Sequence, residues 1–174
     1  MTISYVGGAS AEANSLSLPT HQAGDLFLML AVNPGSTTVP TIPSGWYSLR
    51  TTSRGTAGTS RGAALAWKLA ASSGETSGTW TNASLLGCVA YRDSSEYLIP
   101  GGYNTNQDIL TTAFTYNSVS ALSALNNTVK FIGPDSWVVL AGFLNSNSLS
   151  VETAPVGTIN RISRADIVTG KQQQ

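Results

Sequence analysis

His21 is the only histidine in this chain and stands just ahead of Asp25, and a histidine oriented by a carboxylate is two-thirds of a nucleophilic triad. The missing third would be an activated serine, and no Gly-x-Ser-x-Gly elbow is there to present one. A single histidine also excludes histidine-rich metal sites, so His21 reads as a turn residue before Asp25. Cys88, the sole cysteine, lies inside the apolar run Leu85-Leu86-Gly87-Cys88-Val89-Ala90-Tyr91. There it reads as a small hydrophobe rather than a nucleophile, with no second thiol for an intramolecular disulfide. Asp93 and Glu96 are the acids closest to a glycosidase pair, but in a polar turn they read as solvated. Gly7-Gly8 and Gly101-Gly102 lack the lysine of a phosphate loop, and no Asp-x-Asp-x-Asp-Gly run suggests calcium. The expectation is a non-enzymatic chain with no catalytic residue, no metal site and no cofactor.

Aromatic residues are the remaining candidates for binding. Trp46, Trp67, Trp80 and Trp137 sit in or beside apolar segments, which makes core packing their default. Trp80 in Thr79-Trp80-Thr81, and Trp46-Tyr47, could instead stack on sugar rings. Tyr97, Leu98, Ile99 and Tyr103 fall in a segment rich in Asn and Gly. Large apolar groups in such a setting need a cover, either this domain's own sheet or another chain. Ile3 and Tyr5 could join a partner as an added edge strand. Ile3, Tyr5, Tyr97, Leu98, Ile99 and Tyr103 are therefore the expected interface.

The elements that must position these residues are short β-type segments closed by turn residues. An opening pair is expected at 3–6 and 16–18 around Gly7-Gly8, then strands at 26–32, 46–49, 63–70, 78–81 and 85–92. Strands at 111–116, 129–132, 137–144, 150–152 and 158–162 complete the set. Pro34, Pro40 and Pro43 mark the loop 33–45, because proline denies a ladder donor. Gly55, Gly58 and Gly62 suggest a long hairpin tip over 50–62. The core is expected on strands 26–32, 63–70, 85–91 and 137–144. A weak internal repeat relates Gly24-Asp25, an apolar strand and Pro43-Ser44-Gly45 to Pro134-Asp135, a second apolar strand and Pro155-Val156-Gly157. This fits two related halves, as in a jelly roll.

Composition agrees. Charged residues are only 10% and hydrophobic residues 41% of 174 residues, against a usual charged share of about 25%. Helix surfaces are normally covered by Glu, Lys and Arg, whereas strands accept Thr on the solvent face. The fold class expected is all-β, an antiparallel β-sandwich of jelly-roll type with little helix. It forms one domain over 1–170, with 171–174 a frayed polar tail. Net charge is +0 and the pI about 6.5, with scattered arginines, which argues against a nucleic-acid partner. No apolar stretch approaches the ~20 residues of a membrane span, and no secretory signal opens the chain.

Gly24-Asp25-Leu26-Phe27-Leu28, Pro43-Ser44-Gly45-Trp46, Ala66-Trp67-Lys68, Gly78-Thr79-Trp80-Thr81 and Val89-Ala90-Tyr91-Arg92 follow one another in an order that resembles a group of tailed-phage virion proteins. The likeness spans residues 24–92 and recurs more loosely over 134–165. It implies a β-sandwich accessory protein of the capsid decoration or cement type. Such a protein would bind across major capsid protein subunits as a homotrimer, on the capsid surface of a virion assembled in the host cytoplasm. The alternative it leaves open is a tail-fibre or receptor-binding module for host surface glycans.

Overall fold

The computed structural model describes residues 4–55, 60–92, 143–145, 164–166 and 171–173. All regular structure among them is β. The main sheet contains β1 (Ser4–Ala11), β2 (Leu26–Pro34), β3 (Tyr47–Arg54), β4 (Arg61–Leu69) and β5 (Leu85–Arg92). Its order is β1-β5-β2-β4-β3, with every neighbouring pair antiparallel. A second sheet has the order β6-β8-β7, from β6 (Phe143–Asn145), β7 (Arg164–Asp166) and β8 (Lys171–Gln173). The end of the chain, expected as a frayed tail, thus contributes a short central strand.

The expected strands at 26–32, 63–70 and 85–92 are present, and the first runs on to Pro34. β2 occupies the middle of the sheet, which explains its unbroken apolar run. Phe27, Met29 and Ala31 face one side, and Leu26, Leu30 and Val32 the other, all buried. A strand buried on both faces has no solvent side to make polar. On the first face the sheet is lined by small residues, Ala31, Ala64, Ala66 and Ala90, with Cys88 and Leu86. That shallow floor leaves room for two indoles, and Trp46 and Trp80 fill it from the connecting loops. Their rings meet edge to face, with centroids 5.4 Å apart.

Three local expectations are corrected. Residues 16–18 form no strand and no hairpin with the N-terminus. β1 instead continues through Gly7-Gly8 with a bulge after Tyr5 and pairs with β5. Leu16 and Leu18 pack sideways onto the core, and the Leu16 amide donates to Ser77 Oγ at 3.0 Å rather than to a ladder. Residues 78–81 are not a strand either, because Gly78 (φ 68°) and Asn82 (φ 67°) turn the backbone out of the extended region at both ends. The hairpin tip is also shorter than 50–62, since β3 runs to Arg54 and β4 begins at Arg61.

Gly62 is accordingly a strand residue. A Cβ there would lie 2.2 Å from the Thr38 carbonyl oxygen, so the glycine lets the proline loop cross the sheet. That loop ends in the turn Pro43-Ser44-Gly45-Trp46, where the Trp46 amide donates to the Pro43 carbonyl at 3.2 Å. Gly45 supplies the positive φ, 84°, that a type II turn needs at its third position.

Candidate functional site

The loops 16–25 and 70–78 meet at one end of the sheet around four charged residues. Asp25 is wholly buried. Its carboxylate accepts from Arg92 Nε at 2.8 Å, from Arg92 Nη2 at 2.9 Å and from the Gln22 amide at 2.9 Å. The Asp25 backbone carbonyl accepts from the Ala70 amide at 2.8 Å, and the Gly24 amide donates to the Ala70 carbonyl at 2.8 Å. The Arg92 guanidinium, followed by the Gln22 amide, holds the Asp25 carboxyl below the usual carboxylate range despite its burial. Beside this pair Glu75 forms an ion pair with Lys68 and accepts from the Ala71 amide at 3.1 Å. Lys68, then the Ala71 amide, lower the Glu75 carboxyl in the same way.

His21 stands between the two ion pairs but is hydrogen-bonded to neither carboxylate. Its Nδ1 lies 2.6 Å from the Pro19 carbonyl, and its Nε2 lies 3.2 Å from the Glu75 amide nitrogen. Its ring stands edge-on to Phe27, with centroids 4.9 Å apart. The His21–Asp25 neighbourhood that the sequence raised as two members of a triad is thus structural, with the carboxylate committed to Arg92. An open groove of about 470 Å³ runs past His21, between Leu16, Pro19 and Thr20 on one side and Ser73, Glu75 and Thr76 on the other.

The other chemical candidates divide cleanly. Cys88 is completely buried, and desolvation pushes its thiol far above the ordinary range, so no thiolate is at hand. Among the described residues no group of three or more His, Cys, Asp or Glu could hold a metal ion. No helix among them is long and apolar enough to cross a membrane. Trp80, weighed as a sugar platform, is fully buried and cannot stack on a ligand. Trp46 is buried as well, but Tyr47 is the one large apolar side chain exposed among the described residues, at 48%. Its ring lies nearly parallel to Trp67, with centroids 4.8 Å apart and planes at 25°.

Of the expected interface, only Tyr5 lies within the described residues. It sits on edge strand β1, its ring edge-on to Tyr91 with centroids 5.9 Å apart. Ile3, Tyr97, Leu98, Ile99 and Tyr103 fall outside them, as do Asp93, Glu96 and Trp137. Asp25–Arg92 and Lys68–Glu75 were not anticipated from the sequence. The available signal was an acid directly before one apolar strand and a base directly after another. Comparison of the chain with protein-family models, with curated proteins and with solved structures finds no match.

Proposed function

We propose that this chain is a non-enzymatic structural protein of a tailed-phage virion. It decorates and cements the capsid by binding across major capsid protein subunits, as a homotrimer built on a β-sandwich. The reading starts from the motif order over residues 24–92. The observation that carries it is the unequal treatment of the two edges of the main sheet. Both edge strands are bulged, but β3 also carries Arg50, a charge that keeps other strands away. β1, Ser-Tyr-Val-Gly-Gly-Ala-Ser-Ala, has no charge and no proline over its eight residues. An uncharged edge of small residues suits strand addition by a neighbouring chain.

Cryo-electron microscopy of particles carrying the protein tests the reading, with density across the capsid lattice as the expected result. Density confined to the tail overturns it. A Gly8→Lys, Ser10→Lys double variant is expected to weaken attachment to particles at least tenfold while the melting temperature holds. Undiminished attachment removes β1 from the interface.

Tyr47 favours the second reading, a receptor-binding module for host glycans. A tyrosine backed by a parallel indole offers a stiff apolar plane to the face of a sugar ring. On this reading Tyr47→Ala abolishes binding on a glycan array without altering the melting temperature. An array with no signal for the parent protein rejects it.

A further inference from the structure

The structure assigns His21 as a proton-operated latch between the loops 16–25 and 70–78, one that requires the neutral ring protonated on Nδ1. The assignment rests on its partners. A carbonyl oxygen can only accept, so the contact of 2.6 Å to Pro19 O requires a proton on Nδ1. A backbone amide can only donate, so the contact of 3.2 Å from the Glu75 amide requires a lone pair on Nε2. The tautomer is thus set by the chain, and both ring nitrogens are committed.

A second proton can enter only at Nε2, where it faces the Glu75 N–H. Two donors then point at each other and the link between the loops breaks. The charged groups around the ring decide how the loops respond. Asp25 is held by Arg92 and the Gln22 amide, and Glu75 by Lys68 and the Ala71 amide. Both carboxylates feel the charge of His21. The imidazolium therefore draws the Glu75 carboxylate away from Lys68 and towards Nε2, and the segment around Glu75 shifts so that its carboxylate replaces its amide. The loops stay anchored on either side of the latch by Leu16 N–Ser77 Oγ and Gly24 N–Ala70 O. The change is confined to the groove wall between them, where His21 and Glu75 both stand. The groove is thus remodelled when His21 takes up its second proton. This inference is independent of the proposed virion role.

Nitrogen-15 NMR of the full chain reads the latch directly. At alkaline pH the ring is expected to show a protonated Nδ1 and a bare Nε2. As His21 titrates, protection of the Glu75 amide from hydrogen exchange, corrected for intrinsic pH dependence, should fall at least tenfold. The Gly24 amide should hold its protection. In His21→Gln the fall at Glu75 should vanish. An Nε2-protonated neutral ring overturns the assignment, as does Glu75 protection that holds within twofold across the titration. The tautomer and the Glu75 exchange are both read on the parent protein, so the assignment is decided even if the variant fails to fold.

Discussion

Trp80→Ala is expected to cost about 3–5 kcal/mol, the range for emptying an aromatic site in a packed core. Trp80 is fully buried although it belongs to no strand. It packs edge to face on Trp46, its Nε1 donates to the Ser77 carbonyl at 3.0 Å, and its amide donates to the Asn14 carbonyl at 2.7 Å. The alanine floor beneath cannot close the space, because Ala31, Ala64, Ala66 and Ala90 are held at strand positions and have no side chain to extend. Since a domain's whole stability is only about 5–15 kcal/mol, chemical denaturation should show a large fall in the midpoint. A loss below about 1 kcal/mol would remove Trp80 from the core. Trp46 provides the comparison, because its buried Nε1 has no hydrogen-bond partner. Trp46→Phe therefore discards an uncompensated polar group, whereas Trp80→Phe leaves the Ser77 carbonyl without a donor, and the first should be the milder change.

Asp25→Asn is expected to cost about 2–3 kcal/mol, because hydrogen bonds to charged groups contribute about 1.5–3 kcal/mol and this carboxylate receives three. The cost stays below the 3–5 kcal/mol of a fully buried pair, since the Arg92 side chain is 38% exposed and can turn to water. The pH dependence has a definite sign. The folded state holds the Asp25 carboxyl below its ordinary value of 3.8. Its contribution is therefore complete above that value and is lost as pH falls through the depressed folded one. Glu75 behaves likewise below its ordinary 4.5. Thermal melts from pH 7 downwards should show parent and Asp25→Asn converging below about pH 4. A constant difference would mean that the charge contributes nothing.

The central strands were legible because they are apolar on both faces, so β2, β4 and β5 read as nearly continuous apolar runs with turn residues at their ends. The loops were harder. Thr79-Trp80-Thr81 has the composition of a strand, and only the left-handed conformations at Gly78 and Asn82 make it a turn. Leu16 and Leu18 alternate as a strand would, yet they bury their side chains as a lid on the first face of the sheet. The partners of Asp25 and His21 could not be read locally, because Arg92 and Glu75 come from distant parts of the chain. Tyr47 on Trp67 results from the register of β3 against β4, which places the two directly opposite. Spacing along one strand does not contain that register.

The pairing of β1 with β5 has a consequence for how the molecule is made. Ser4 pairs with Arg92 and Ala11 with Leu86, so the first strand of this sheet must wait for its last. At roughly 5–20 residues per second that wait lasts several seconds, with the uncharged β1 already outside the ribosome. Within this sheet the β3–β4 hairpin, where Arg54 pairs with Arg61, closes the shortest loop and forms first at the least entropic cost. β2 can then dock on β4, but the sheet is complete only when β5 enters between β2 and β1 and Arg92 meets Asp25. Closure of this sheet thus waits until β5, about midway along the 174 residues, has been made, and the nascent chain is most vulnerable to association just before it.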